Sequence, residues 1–297
     1  MKNIQGIALI QVLIITMVLT LLGIFISQSV RNQVKLTIDI QASVKLELAL
    51  ASAEAQLIQA LLTQKRYPNT SSNSQIVQRW NFYNKAFVLP NNVQVKMQDL
   101  NGLLSLNMMN HRLATGVFKQ LDLEGHPVRT FLDSLKDWID KDDLKYLNGA
   151  ERHYYQSINA TGPRNGYLQS IDEVFSIKMG DILPLNLWRK YFTEHTVGGF
   201  NPLLAPKLIL DALIEDSAIV NEIVLAREKG ELSPFRFFQL TGIDGDEYYN
   251  FATGRKIRVE LRANSEYGQL SKHFVIELRP NNSLRTVIIT NVSWNKE

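Results

Sequence analysis

Three acidic residues, Asp140, Asp142 and Glu151, stand at positions one, three and twelve of a polar segment. Carboxylate oxygens at this spacing are typical of an EF-hand-like calcium loop. The match is partial, because position six is Lys145 where an EF-hand has Gly, although Asp143 or backbone carbonyls could supply further ligands. The alternative is a solvated acidic turn that ends one helix, with Glu151 near the favourable N-terminus of the next. The spacing alone leaves both interpretations open.

Other candidate chemistry is weaker. A second acidic turn contains Asp244, Asp246 and Glu247, and Gly-Asp turn chemistry explains it without a metal. The chain has no cysteine, and its five histidines form no metal-binding pair of the HExxH type. The sequence also lacks a phosphate-binding glycine loop, a G-x-S-x-G element and a basic cluster for nucleic acid. We therefore predict that the protein is not an enzyme and binds no nucleic acid.

The N-terminal part of the chain has the pattern of a membrane anchor for the domain that contains these residues. Twenty residues, 7–26, carry no charge, which is about the length that crosses a bilayer as a helix. A cleaved signal peptide, a plain signal anchor and a leader that is cut before the apolar run, after Gly6, all compete for this segment. No helix breaker follows until Pro68, so we predict one continuous helix from Ile7 to about Arg66, roughly 90 Å long.

The membrane-distal part of this helix carries an apolar stripe with a 4-3-4-3-4 spacing. We predict that the stripe packs on a globular domain, through Val44, Leu48, Ala51, Ala55, Ile58 and Leu62.

The short basic leader ending in Gly6, followed by the uncharged run, resembles the type IV prepilin family. The resemblance implies cleavage after Gly6 by prepilin peptidase and methylation of the new N-terminal residue, Ile7. Most of this family has Glu at the fifth mature position, where this chain has Gln11. An amide cannot neutralise the N-terminal amine of a subunit above it, which fits a subunit with nothing above it, although a tolerated polar substitution is the alternative.

Beyond the helix the spacing of the apolar residues changes twice. Strand-like alternation occurs at 85–89 and 93–100, Asn101-Gly102 predicts a hairpin turn, and residues 103–107 continue as a strand. From 108 to 253 the apolar spacing is helical, at 128–139, 170–177, 185–192, 206–214 and 219–228. Alternation returns at 257–263, 273–278 and 284–289. These patterns predict an α+β fold, in which an antiparallel sheet over the long helix is interrupted by an inserted α-helical domain.

Two motifs resemble the K-type minor pseudopilins of type II secretion systems. One is QDLNGLLSLN at 98–107, and the other is DWIDKD at 137–142 followed by GAERHYY at 149–155. The resemblance implies a tip subunit of the periplasmic pseudopilus that initiates its assembly and binds calcium. It further implies a hetero-oligomer with I-type and J-type minor pseudopilins, and contact with the major pseudopilin, prepilin peptidase and the inner-membrane assembly platform.

The expected organisation is a leader at 1–6, a transmembrane helix at 7–27, the pseudopilin helix and first strands at 28–107, the helical insert at 108–253 and the closing strands at 254–297. The expected location is the cell inner membrane, crossed once, with the C-terminal bulk in the periplasm. Two rivals remain: a minor pilin of a type IV pilus, which the size of the insert and the DWIDKD motif disfavour, and a membrane-anchored periplasmic binding domain.

Overall fold

The computed structural model describes residues 5–67, 71–266, 268–281 and 284–296. Residues 1–4 of the leader and Pro68, on which sequence predictions rested, lie outside these ranges. Helix α1 spans Gln5–Thr63, 59 residues, so it is roughly 90 Å long. Among the described residues, this helix alone is long and apolar enough to cross a membrane. The predicted single long helix is therefore confirmed.

A five-stranded antiparallel sheet packs on the distal part of α1. Its strands are β1 (Phe87–Val88), β2 (Gln94–Asp99), β5 (Lys256–Ser265), β6 (Gly268–Leu278) and β7 (Val287–Lys296), in the order β1-β2-β5-β6-β7. Alternate residues of β2, β5 and β6 point toward α1 and are buried, as in a sheet with one covered face. A short helix, α2 (Gln75–Arg79), joins α1 to β1. The predicted helix-on-sheet α+β architecture is confirmed.

The predicted face of α1 meets the sheet only in part. Ile58 and Leu62 pack against the core as predicted, but Val44, Leu48, Ala51 and Ala55 are exposed, and Leu48 is 64% exposed. The fully buried stripe lies at Leu46, Leu50, Ala53, Leu57 and Leu61. Its first residues lie two positions after the exposed ones, which corresponds to about 200° around a helix, so those four predicted residues lie on the opposite side. Both stripes have apolar spacing of the same kind, and only the shape of the sheet selects between them.

An α-helical region separates β2 from β5 in the chain. Its helices are α3 (His111–Gln120), α4 (His126–Ile139), α5 (Arg152–Ser157), α6 (Leu185–Tyr191), α7 (Lys207–Leu213), α8 (Ser217–Glu228) and α9 (Pro234–Thr241). The predicted segment at 170–177 forms a 3-10 helix at Ile171–Ser176 instead of an α-helix. An aromatic core of its own holds the region together, centred on Phe118, Phe131, Trp188 and Phe192.

The predicted hairpin at Asn101-Gly102 is wrong. Residues Leu100–Gly102 form a 3-10 turn, and neither Asn101 nor Gly102 has the positive φ that a tight hairpin turn requires. The following strand, β3 (Leu104–Ser105), pairs in parallel with β4 (Phe192–Thr193), in a separate two-stranded sheet. Gly102 is needed for close packing, because a Cβ there would lie 2.5 Å from the carbonyl oxygen of Leu204.

A buried carboxylate joins the two ends of the inserted region. Asp99 Oδ1 accepts a hydrogen bond from the backbone N–H of Asn101 at 2.8 Å, and Oδ2 accepts one from the N–H of Gly254. Arg66 Nη1 donates to the carbonyl of Gly254 at 2.7 Å. Burial raises the pKa of Asp99 to about 6, although both hydrogen bonds and Arg66 act to lower it. The start and the end of the insert are therefore fixed to one point beside the end of α1.

The last strand differs from its predicted range of 284–289. Strand β7 begins at Val287 and continues to Lys296, pairing with β6 along both halves of its length. An irregularity between His273 and Val275 changes the register between these halves. The second half of β7 contains polar residues, so its apolar pattern is too weak to predict it.

Candidate metal centre and processing residues

Helix α4 positions the candidate metal ligands. It begins after Gly125, has Pro127 in its first turn, and buries Phe131, Leu135 and Trp138 in the core of the insert. It ends at Asp140, whose extended backbone (φ −68°, ψ 171°) turns the chain away. Because the core holds α4 in place, the acidic residues of its last turns have a defined location.

Two aspartates on α4 hold the loop that follows. Asp133 Oδ2 accepts hydrogen bonds from the backbone N–H and the side-chain amide of Asn148, at 3.1 and 2.9 Å. Asp137 Oδ1 accepts one from the N–H of Tyr146 at 3.0 Å. Gly149 approaches so closely that a Cβ there would lie 1.9 Å from Asp137 Oδ2. The loop thus returns to the end of α4 before Glu151 opens α5.

Four carboxylate oxygens in this region are buried and have no hydrogen-bond partner. They belong to three residues: Asp137 Oδ2, Asp140 Oδ1 and both carboxylate oxygens of Glu151. Glu151 is the N-cap residue of α5, yet its side chain makes no capping hydrogen bond. Buried polar atoms are rarely left without a partner, so an unsatisfied group in a folded protein is a sign of a missing ion or water.

The electrostatics of the three carboxyls agree with this arrangement. Burial, together with the charges of Asp137 and Asp140, raises the pKa of Glu151 to about 7. Burial also raises the pKa of Asp140, with Asp142 and Asp137 as the next causes. Burial likewise raises the pKa of Asp137, against the hydrogen bonds from Tyr146 and Ala150. Like charges therefore face one another here, and a bound cation would relieve their repulsion.

Of the three sequence-predicted ligands, Asp140 and Glu151 have buried, unpartnered carboxylate oxygens, whereas Asp142 is on the surface within electrostatic reach of Asp140. Asp142 is exposed, and its Oδ1 accepts a hydrogen bond from the N–H of Leu144 at 2.8 Å. Asp137 has the third buried carboxylate within electrostatic reach of Asp140 and Glu151, and counting positions along the loop missed it because it lies on α4. Its separation of three residues from Asp140 is the available signal, since such pairs share one side of a helix.

These residues do not form a complete side-chain cage. Among the residues that the structure describes, no group of three or more His, Asp or Glu side chains is placed to hold a metal ion. Calcium, however, takes six to eight oxygens, which include backbone carbonyls and waters as well as carboxylates. The all-oxygen donor set and its unpartnered carboxylates therefore fit a hard divalent cation that completes its shell with such groups.

The second acidic turn makes local hydrogen bonds. Asp246 Oδ1 accepts from the N–H groups of Tyr248 and Tyr249, both at 2.7 Å, and Asp244 Oδ1 accepts from that of Gly245 at 2.7 Å. These local hydrogen bonds are the kind that the Gly-Asp turn composition predicts.

The residues predicted for processing and assembly lie at the start of α1. Gly6 and Ile7 are in its first turns, and Gln11 lies one turn further on and is exposed. Residues 9–26 are exposed almost throughout and are apolar, so this end of the helix lacks protein neighbours within the described chain. This part of the chain presents an apolar surface to its environment.

Comparison with known proteins gives a match to a family model and matches to solved structures. Residues 91–183 match the family model described as type II secretion system, protein K. A chain from the crystal structure of the GspK–GspI–GspJ complex of the enterotoxigenic Escherichia coli type 2 secretion system matches with a TM-score of 0.53 at 14% sequence identity. The match covers 90% of this chain and 99% of that one. None of the curated proteins is a significant match.

Proposed function

We propose that this chain, which is a type II secretion system minor pseudopilin of the K type, lies at the tip of the periplasmic pseudopilus and initiates its assembly. The observation that carries the proposal is the helical insert between β2 and β5, part of which matches the protein K family. A bulky insert above the helix-and-sheet core obstructs stacking of a further subunit on that side. The role is structural support of protein export across the outer membrane, without catalysis.

The N-terminal part of α1 serves as the membrane anchor in this proposal. Prepilin peptidase cuts after Gly6 and Ile7 is methylated, so the apolar run stays on the mature protein in the inner membrane. The C-terminal bulk then lies in the periplasm. The support is an unburied apolar helix that reaches the N-terminal end of the described chain.

Gln11 supports a terminal position. A carboxylate within a membrane requires a positive partner, and a neutral amide does not. A subunit with no neighbour above it has no amine to neutralise, so the amide is compatible with the tip. Prepilin peptidase and the assembly platform would act on this chain before major pseudopilin subunits are added below it.

The partners we propose are I-type and J-type minor pseudopilins, because the structural relative was crystallised in a complex of that kind. The exposed stripe of α1 offers them a surface, through Val44, Leu48, Ala51 and Ala55. Apolar residues on a helix face away from the core of their own chain favour helix packing with another subunit.

Calcium is the cation that we propose for the α4–α5 site, held by Asp137, Asp140 and Glu151. When bound, the ion supplies positive charge that offsets the mutual repulsion of these carboxylates. Asp140 ends α4 and Glu151 begins α5, so ligation from both joins the two helices across their loop. Asp137 Oδ1 accepts the hydrogen bond from the loop, and Asp137 Oδ2, which has no protein partner, would bind the ion.

Gold labelling of the insert on assembled pseudopili tests the tip position. We expect label at one end of each fibre, with label on the major pseudopilin along the whole length as the control. Label on the insert along the fibre would contradict the proposal.

Co-purification with the I and J types tests the partners. The full chain, extracted in nonionic detergent, should bring down both in equal amounts, and Leu48→Lys should weaken their recovery more than Gln56→Lys, which adds the same charge beside the stripe. Recovery of the unaltered chain without either partner would count against the complex.

A further inference from the structure

Two neighbouring cavities line the boundary between the helix-and-sheet core and the insert. The first has a volume of about 600 Å³ and the second about 300 Å³. Tyr67, Phe251 and Thr253 contribute to the walls of both, so the cavities adjoin. We refer to the two cavities together as the seam. Their volumes lie in the range of small-molecule and peptide-side-chain sites.

The first cavity is strongly basic. Four of its wall residues are cationic, Lys65, Arg66, Arg255 and Arg279, and none is acidic. Their described hydrogen bonds go to uncharged groups, for example from Arg279 Nη2 to the carbonyl of Leu62 at 3.3 Å. None of the four takes part in an ion pair within 4.0 Å among the described residues.

The negative charges at the end of α1 and on Asp99 offset only part of this positive charge. The carboxyl end of a helix carries about half a negative charge. Asp99, buried behind the cavity and within electrostatic reach of Arg66, adds one more when ionised. Four positive charges against these leave about +2.5 without compensation. Burial lowers the pKa of Arg66, Asp99 opposes that effect, and Arg279 and Arg255 lower the pKa further.

The second cavity is mostly apolar and contains one further cation. Phe82, Leu203 and Leu232 are in its wall together with Arg227. Arg227 Nη1 donates to the carbonyl of Ala205 at 2.6 Å, while its Nε is buried and has no partner.

No carboxylate of the described chain forms an ion pair with Arg227. Glu228, the adjacent residue, pairs with Lys85 at 3.6 Å instead. The guanidinium of Arg227 lies over the ring of Tyr83, 4.4 Å from its centroid. A half-buried guanidinium in an apolar wall is therefore available to an anionic group.

We propose that the seam binds an acidic polypeptide segment that carries large apolar side chains. Guanidinium groups match carboxylates with paired hydrogen bonds, so the first cavity takes Asp or Glu side chains. The second cavity takes an apolar side chain of the same segment, next to Arg227. A free phosphate would satisfy the first cavity and leave the second without a role, which is why a polypeptide is the better fit. The proposal is independent of the position of the chain in a pseudopilus.

Fluorescence anisotropy tests this with the full chain in nonionic detergent. The probe is a labelled hexapeptide that alternates Asp with Leu, compared with peptides in which Asn replaces every Asp or Ser replaces every Leu. We expect each replacement to weaken binding at least fivefold, and added salt to weaken the original peptide. Arg255→Gln with Arg279→Gln should weaken binding at least fivefold. The matched control, Lys119→Gln with Arg129→Gln, removes the same charge from exposed positions outside the seam and should change binding less than twofold.

Several outcomes would overturn the proposal. One is equal binding of the Asp and Asn peptides, and another is equal loss in the arginine pair and its control. If inorganic phosphate displaces the probe at millimolar concentration and the Leu-to-Ser peptide binds as well as the original, the seam is a site for simple anions and the polypeptide assignment is wrong. The peptide comparisons use the unaltered chain, so they decide the question even if the variants fold poorly.

Discussion

The carboxyl of Glu151 makes the stability of the ion-free protein depend on pH. Its pKa in the folded chain is about 7, against an ordinary value of 4.5. A raised pKa means that the folded chain favours the protonated form. The contribution of Glu151 to the free energy of unfolding is therefore most favourable below about pH 4.5, and it is lost as the pH rises toward 7. Each pKa unit corresponds to about 1.4 kcal/mol, so the loss between these pH values is about 3 kcal/mol. Binding of calcium by the ionised carboxylate would reverse it.

Replacement of Glu151 by Gln removes the ionisation and predicts opposite effects in two buffers. In buffer with a chelator at pH 7.5, E151Q should be more stable than the unaltered chain by up to about 3 kcal/mol, because its side chain at position 151 buries no charge. In millimolar calcium E151Q should be the less stable of the two, because a ligand is lost. Glu124→Gln is the matched control, since the exposed Glu124 precedes the opposite end of α4 from the site, and it should respond little in either buffer.

Urea unfolding of the full chain in nonionic detergent, followed by tryptophan fluorescence, measures these differences. The quantity to compare is the free energy of unfolding of E151Q minus that of the unaltered chain, at pH 4.5 and 7.5, because titrating groups outside the site cancel in the difference. A difference that stays constant with pH in chelator would refute the assigned burial of Glu151. The same response to calcium in both proteins would refute its role as a ligand.

Four further substitutions test the packing, each by urea unfolding of the isolated chain. Gly149→Ala should destabilise by about 2 kcal/mol or more, because its Cβ would lie 1.9 Å from Asp137 Oδ2, and a neutral effect would show that the loop lies elsewhere. Asp99→Asn should lower stability by about 1–3 kcal/mol, since one of two buried N–H groups loses its acceptor; unchanged stability would argue against the junction. Leu50→Ala should destabilise by about 2–5 kcal/mol and Leu48→Ala by less than about 0.5, and the reverse order would restore the originally predicted stripe.

The sequence predicts the architecture well where one physical signal dominates. The uncharged run and the absence of a breaker determine α1, and strict alternation determines β2, β5 and most of β6. Where two signals of equal strength compete, the prediction fails. Both apolar stripes of α1 have suitable spacing, and the sheet that selects between them is distant in the chain.

Tertiary contacts decide the remaining differences. Asn101-Gly102 has the composition of a hairpin turn, but Asp99 caps a 3-10 turn there and Leu204 packs against Gly102. The candidate metal site shows the same limit, since counting positions along a loop finds Asp140 and Glu151 but selects Asp142. The fold brings in Asp137 from the preceding helix, where its three-residue spacing from Asp140 is a weaker signal than the observed burial of its Oδ2.

The N-terminal residue and mass of the mature protein test the central claim most directly. The full chain is expressed with and without prepilin peptidase, and the product is sequenced from its N-terminus and weighed. The proposed pseudopilin function predicts a chain that begins at N-methyl-Ile7 when the peptidase is present and at Met1 when it is absent. A chain that begins at Met1, or near Ser29, in the presence of the peptidase would contradict the account.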